Sequence, residues 1–132
     1  MKDFTAITLL LVDDSQTMRG IEKGMLVDLG FKQILEAANG AAALEILRSE
    51  AVDLVICDWN MPKMTGIELL ETVRCSMDFY TIKFIMVTAE ADKEHVLRAI
   101  ESGISNYIVK PFTSKVLLDK ILQVLKAPTA TH

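Results

Sequence analysis

Leu9-Leu10-Leu11-Val12-Asp13-Asp14-Ser15 decides the fold, because an apolar run without polar alternation ends abruptly in two acids. Strands that are covered on both faces have near-continuous apolar sequences of this kind. The pattern recurs in Leu54-Val55-Ile56, before Asp58, and in Phe84-Ile85-Met86-Val87, before Thr88. Longer stretches of helical periodicity separate these runs. The sequence therefore predicts parallel strands joined by helices that cover both faces of one sheet.

Five strands and five helices are predicted in strict alternation. The strands are residues 7–12, 33–37, 52–58, 83–88 and 106–110, and the helices are 16–29, 41–49, 66–74, 93–102 and 114–126. Gly30 and Gly103 are typical of helix ends. Such alternation indicates right-handed crossovers and a three-layer α/β sandwich, with a doubly wound parallel sheet at its centre.

Size and composition favour one domain with an aliphatic core. The chain has 132 residues, of which 51% are hydrophobic and only 6% aromatic. We expect a single domain over residues 1–132. With 14 Lys and Arg against 18 Asp and Glu, the net charge is −4 and no basic run occurs, so nucleic acid is not the expected partner.

No targeting segment is predicted. Met1-Lys2-Asp3-Phe4 does not resemble a signal peptide, and no apolar stretch is long enough for a membrane span. Cys57 and Cys75 have neither metal-binding nor redox spacing. These features favour a cytoplasmic protein without membrane insertion.

Three acids fall at the carboxyl ends of predicted strands: Asp13 and Asp14 after the first strand, and Asp58 at the end of the third. In a flavodoxin-like sheet of order 2-1-3-4-5, these two strands are neighbours and flank the switch point where ligands bind. One aspartate there could simply cap a helix. Three acids at one crevice repel one another and favour a bound Mg²⁺, which prefers carboxylates, water and phosphate oxygens.

Thr88 and Lys110 end the fourth and fifth predicted strands at the same edge of the sheet. Taken alone, each is most simply a structural or solvated residue. Together with the acids and Mg²⁺, a hydroxyl and an ammonium can neutralise a phosphoryl group that is attacked by a carboxylate. The set therefore indicates phosphate chemistry.

These motifs resemble response-regulator receiver domains, which are themselves a known instance of the sheet order used above. The resemblance spans the chain and rests on four segments in order: Val12-Asp13-Asp14-Ser15, Asp58-Trp59-Asn60-Met61-Pro62, Val87-Thr88-Ala89-Glu90 and Val109-Lys110-Pro111-Phe112-Thr113. Within the family, Asp58 to Pro62, Thr88 to Glu90 and Thr17-Met18-Arg19 are similar to chemotaxis regulators.

The resemblance implies a role for each matching residue. Asp58 would accept the phosphoryl group, and Asp14, Asp58 and the main-chain oxygen of Asn60 would bind Mg²⁺, with Asp13 reaching it through water. Thr88 and Lys110 would hold phosphoryl oxygens. Asn60 and Glu90 would tune hydrolysis. The protein would be a signalling phospho-acceptor rather than a turnover enzyme, although it would catalyse its own phosphorylation and slow dephosphorylation.

The resemblance also implies partners and an output. The phosphoryl group would come from a sensor histidine kinase, and the expected partners include the flagellar motor switch protein and a phosphatase, with the protein a monomer. Thr88 and Tyr107 would form the switch. The partner surface would comprise Lys93, Val96, Ile100, Tyr107, Val109 and Lys120.

Other functions are weighed against this one. A flavodoxin needs a hydroxyl- and glycine-rich loop where this chain has two acids, and a haloacid-dehalogenase phosphatase needs an acid where Asn60 stands. A receiver that acts as a phosphorelay intermediate or phosphate sink, without a motor target, stays open. Gly20 and Gly24 in the first helix depart from the family pattern, so the contacts of that helix stay open too.

Overall fold

The computed structural model describes residues 4–89 and 93–126. Strands and helices alternate along the chain. In order, they are β1 (Thr8–Val12), α1 (Gln16–Leu29), β2 (Gln33–Ala37), α2 (Gly40–Ser49), β3 (Leu54–Asp58), α3 (Gly66–Cys75), β4 (Lys83–Thr88), α4 (Lys93–Ser102), β5 (Asn106–Val109) and α5 (Ser114–Lys126).

All strand pairs are parallel, and the sheet order is β2-β1-β3-β4-β5, which confirms the predicted fold class. The register also aligns the strand ends. Val12 pairs with Cys57, so Asp13 and Asp58 follow these partners at the same edge. Thr88 pairs with Val109 at the same edge. The hydrogen-bonded register therefore brings the predicted site residues together.

Two hydrophobic cores lie on opposite faces of the sheet. One is completed by apolar side chains of α2, α3 and α4, and the other by those of α1 and α5. Consecutive strand residues alternate between the cores, so both faces are buried. This explains why the central strands lack polar residues: Leu10, Val55 and Phe84 enter the first core, and Leu9, Leu54 and Ile85 the second.

Five elements match the predicted bounds, and the other five differ from them by one or two residues. β1 begins at Thr8 rather than at residue 7, because the Ile7 N–H closes a turn onto the Phe4 carbonyl. α2 begins at Gly40, where the Asn39 side chain accepts a hydrogen bond from the Ala42 N–H. β5 ends at Val109, although the Lys110 N–H still bonds to the Thr88 carbonyl at 2.8 Å. Such shifts are usual at element ends.

α3 begins against the end of β3 without room for a side chain. A Cβ at Gly66 would overlap the Asp58 carbonyl oxygen and lie 2.8 Å from the Met86 sulfur. Thr65 and Glu68 form a capping box that fixes this helix start. Glycine is therefore required for α3 to pack directly on the main chain of Asp58.

Arg74, at the end of α3, ties two loops at the opposite edge of the sheet from Asp58. Its guanidinium donates hydrogen bonds to the carbonyls of Gly103 (2.7 Å), Tyr80 (3.0 Å) and Ile82 (2.6 Å). Burial lowers the pKa of Arg74. The bond to Gly103 anchors the chain directly after the C-terminal end of α4.

Within the two described ranges, no helix has both the length and the apolar content for a membrane span.

Candidate functional site

Three carboxylates meet at the switch point between β1 and β3. Asp13, Asp14 and Asp58 each place an oxygen within 4.8 Å of the others. Asp13 is 1% exposed and Asp58 is 8% exposed, whereas Asp14 faces solvent. The sheet thus brings together all three acids that the sequence predicted for the site.

The main chain around Asp13 is held from several directions. The Asp13 N–H bonds to the Ala37 carbonyl at 3.1 Å, and Asp13 Oδ1 accepts the Ser15 N–H at 2.9 Å. Arg19 donates to the Asp13 carbonyl at 2.7 Å, while its Nε pairs with Glu36 at 3.0 Å. Asp13 is therefore fixed at the junction of β1 and α1.

Asp58 is equally well positioned. The next residue, Trp59, donates its N–H to the Val87 carbonyl at 2.9 Å and accepts the Gly66 N–H at 2.8 Å. These bonds hold the end of β3 between β4 and the start of α3. The Asp58 carboxylate accordingly lies in a defined place at the base of the crevice.

Lys110 supplies the positive charge. Its Nζ lies 3.0 Å from Asp58 Oδ1 and 3.9 Å from Asp13 Oδ2. The following Lys110–Pro111 peptide bond is cis. The lysine directly after β5 therefore bridges the acids at the ends of β1 and β3, across the intervening end of β4.

The pocket holds more negative than positive charge. Burial raises the pKa of Asp58, the hydrogen bond and charge of Lys110 lower it, and Asp13 and Asp14 raise it again, with a net rise. For Lys110, burial lowers the pKa, but the bond to Asp58 and the neighbouring acids outweigh it and raise the pKa. Both groups hold protons more tightly than usual, as expected in a pocket with excess negative charge.

These residues fit a small divalent cation. Oxygen ligands from one or two carboxylates, with room for water and phosphate, are what Mg²⁺ requires. Asp13 Oδ2 is buried and accepts no hydrogen bond from the described part of the chain, so it has spare capacity toward a cation. Asp13, Asp14 and Asp58 are the side chains that would hold it.

Two further predicted residues, Thr88 and Asn60, lie near the carboxyl ends of β4 and β3. Thr88 is buried, 3% exposed, at the end of β4, and Asn60 is exposed two residues beyond Asp58. Glu90 lies outside the described residues.

The predicted partner surface lies on α4, β5 and α5. Ile100 is 56% exposed, while Val96, Tyr107 and Val109 are partly buried. Lys120 places its Nζ 4.9 Å above the centre of the Tyr107 ring, a cation–π distance. Lys93 begins α4, but its side chain lies outside the described residues.

A narrow apolar crevice, too tight to hold a water molecule, lies between α4 and the sheet. Its walls include Trp59, Thr88, Val96 and Tyr107. The ring of His95, on α4, lies 4.9 Å from the ring of Trp59. The residue next to Asp58 therefore contacts the helix that carries the predicted partner surface.

Sequence reasoning missed two residues near the site. Arg19 was noted only as part of a motif, and its bond to the Asp13 carbonyl requires the folded chain. Glu22 is 3% exposed in the middle of α1. A signal existed for Glu22, because it lies four residues before the buried Leu26 and so on the same helix face.

A doubly wound sheet with three acids and a lysine at its switch point defines the receiver class. The family model of the response regulator receiver domain matches residues 9–122. The chain belongs to this family. CheY-type receiver domains are signalling proteins that interact with histidine kinases, and receiver domains bind Mg²⁺ in an acidic pocket.

Within the family, the chain is similar to chemotaxis proteins. It is 45% identical over 118 residues to chemotaxis protein CheY of Pseudomonas aeruginosa, covering 89% of this chain and 95% of that protein. It is 48% identical to CheY1 of Helicobacter pylori, with the same coverage. The crystal structure of Vibrio cholerae CheY4 superposes with a TM-score of 0.84 at 32% identity, over 89% of this chain and 98% of the other. The chain is thus a CheY-like receiver domain.

Proposed function

We propose that this protein is a response regulator that accepts a phosphoryl group on Asp58 from a sensor histidine kinase, in a Mg²⁺-dependent reaction. The observation that carries the proposal is the position of Lys110 Nζ, 3.0 Å from Asp58 Oδ1 in a pocket of three carboxylates. An isolated acid cluster would suit a cation alone. The lysine adds a donor for the oxygens of a phosphoryl group.

Asp58 is the nucleophile in this reaction. One of its carboxylate oxygens forms a bond to phosphorus as the bond from phosphorus to the donor nitrogen breaks, and the nitrogen retains the electron pair. Lys110 stays close enough to donate to an equatorial oxygen, and the buried Thr88 offers its hydroxyl from β4. The cation, when bound, neutralises phosphoryl charge next to Asp13, Asp14 and Asp58.

Loss of the phosphoryl group requires water to reach Asp58 from the solvent side. Asn60 is exposed, two residues beyond the acceptor. We assign the tuning of this hydrolysis to Asn60 and, by its place in the family motif, to Glu90.

The signal leaves through the surface of α4, β5 and α5. Thr88 and Tyr107 line the same narrow crevice, so a move of Thr88 toward the phosphoryl group frees space next to the Tyr107 ring. Partner-binding residues are Lys93, Val96, Ile100, Tyr107, Val109 and Lys120. Leu97 is 45% exposed and extends the apolar part of α4 next to Val96 and Ile100.

The proposed partner is the flagellar motor switch, and residues 1–132 act as one monomeric receiver in the cytoplasm. The chemotaxis names of the relatives support this choice. The competing function is that of a phosphate sink without a motor target. Partner binding whose affinity does not change on phosphorylation would favour this function.

Incubation with acetyl phosphate, with and without Mg²⁺, tests the acceptor assignment. Intact-mass spectrometry should show one added phosphoryl group in the wild type, only with Mg²⁺, and none in Asp58→Asn. Asp78→Asn is the matched control, because Asp78 is an exposed acid in the loop before β4. A phosphoryl adduct that persists in Asp58→Asn would exclude Asp58 as the acceptor.

A further inference from the structure

Arg19, near the start of α1, makes two hydrogen bonds that converge on the edge of the sheet where the acids meet. Its Nη1 donates to the Asp13 carbonyl at 2.7 Å, and its Nε donates to Glu36 Oε1 on β2 at 3.0 Å. A guanidinium is a rigid planar fork, so two bonds from different nitrogens fix its plane as well as its position. Arg19 therefore joins the main chain at the end of β1 to a side chain of β2.

The bond from Arg19 goes to the carbonyl of Asp13 and leaves its carboxylate free. Asp13 Oδ1 accepts the Ser15 N–H at 2.9 Å, whereas Oδ2 is buried and accepts no hydrogen bond from residues 4–89 or 93–126. A guanidinium paired with this carboxylate would occupy the oxygens that a cation needs. The observed geometry holds the residue in place and keeps one acceptor available.

Glu36 keeps the guanidinium in this orientation. The sheet register places Glu36 opposite Leu11, two residues before Asp13. Its Oε1 takes the Arg19 bond, and its Oε2 accepts Lys23 Nζ at 3.0 Å. The Glu36 and Lys23 side chains are 33% and 44% exposed, and ion pairs at such places contribute little to stability. What the carboxylate does supply is direction, because charge-assisted hydrogen bonds to a guanidinium are geometrically specific.

We propose that Arg19 is a positioning residue for Asp13: it holds the main chain of this acid, with its guanidinium aimed by Glu36, so that the Asp13 carboxylate can serve a divalent cation. The inference rests on the Mg²⁺ part of the proposed function. By its charge alone Arg19 would have the opposite effect, since a positive group near three acids opposes the binding of another cation. The sign of the change on removing Arg19 therefore separates positioning from simple electrostatics.

Titration with MgCl₂, followed by Trp59 fluorescence, tests this role. Arg19→Met keeps an aliphatic stem and removes both hydrogen bonds and the charge. We expect its Mg²⁺ dissociation constant to rise about tenfold, as when other residues that orient metal ligands are lost. Lys23→Met is the matched control, because it removes the other positive charge paired with Glu36 and leaves the Arg19 bonds in place. Its dissociation constant should not rise.

Glu36→Ala is the second variant, at a partly exposed side chain whose loss does not endanger folding. It should also weaken Mg²⁺ binding, and adding Glu36→Ala to Arg19→Met should weaken it no further, because the two residues act through one contact. Urea unfolding without Mg²⁺ shows which variants are folded. An equal or lower dissociation constant in folded Arg19→Met overturns the inference, even if stability falls. If Arg19→Met does not fold, unchanged affinity in Glu36→Ala overturns it. A wild type that binds no Mg²⁺ would instead contradict the proposed function itself.

Discussion

Lys110 Nζ lies 3.0 Å from Asp58 Oδ1, so the cation at the end of β5 directly contacts the carboxylate at the end of β3. The same ammonium is 3.9 Å from Asp13 Oδ2. It therefore offsets part of the repulsion between two acids that the sheet places side by side. In the proposed phosphorylated form the same group would be positioned to donate to the new phosphoryl oxygens.

Replacement of this lysine should separate catalysis from cation binding. Lys110→Met keeps the length of the side chain but loses its charge. We expect phosphorylation by acetyl phosphate to slow about 100-fold, because one donor to the phosphoryl group is lost. Mg²⁺ binding should persist, since all three acids remain. Lys115→Met, at an exposed lysine of α5, is the control. A normal phosphorylation rate in Lys110→Met would remove Lys110 from the reaction.

Stability without Mg²⁺ should depend on pH through Glu22. Its pKa is 4.5 as an ordinary side chain and about 7 in the folded protein, so the folded state holds this proton more tightly. This tighter proton binding stabilises the folded state. The stabilisation is complete below about pH 4.5 and is lost as the pH rises through 7. Urea unfolding at pH 5 and pH 8 should show a loss of about 2 to 3 kcal/mol from this residue. Glu22→Gln should lack that part of the loss; an identical pH dependence in both proteins would contradict the assignment.

Two glycine substitutions should have opposite effects. Gly66→Ala places a methyl group against the Asp58 carbonyl and the Met86 sulfur, so we expect a loss of about 1 to 3 kcal/mol in the free energy of unfolding. In Gly24→Ala the new Cβ meets nothing within 4 Å, on an exposed face of α1. This change should stabilise the protein by about 0.5 to 1 kcal/mol. Thermal unfolding measures the change in stability for both variants. If Gly66→Ala had the same effect on stability as Gly24→Ala, the close contact of α3 with the main chain of Asp58 would not be rigid.

The partner surface should respond to phosphorylation. An acidic amphipathic peptide from the motor switch should bind about tenfold more tightly with beryllofluoride than without it. Ile100→Asp puts a charge on an exposed apolar residue of α4 and should weaken this binding. Met77→Asp is the matched control, because Met77 is 91% exposed and lies outside that surface. Equal affinity with and without the mimic would exclude the motor function and leave the phosphate-sink function.

The sheet and the meeting of the acids at one of its edges could be predicted from the sequence for one physical reason. Apolar strands that are buried on both faces leave a clear pattern, and the ends of parallel strands must share an edge, so Asp13, Asp58 and Lys110 could be placed together before the structure was known. Contacts across helices leave no such pattern. The burial of Glu22 depends on the rotation of α1, and the bond from Arg19 to the Asp13 carbonyl depends on a loop.

The cation–π pair of Tyr107 and Lys120 was likewise outside the reach of sequence reasoning. Both residues were assigned to the partner surface, but their mutual contact joins β5 to α5 through the relative positions of two elements. Strand periodicity predicts which face of the sheet a residue occupies. It does not predict which side chain of a neighbouring helix contacts that residue.

The hydrogen bond from Arg74 to Gly103 fixes the C-terminal end of α4 to α3. Gly103 follows the last residue of α4, and Ser102 adds a bond from its hydroxyl to Glu71 of α3 at 3.1 Å. We therefore expect any displacement of α4 on partner binding to be smallest near Ser102 and larger toward His95. Because the ring of His95 lies against that of Trp59, such a displacement would be felt next to Asp58.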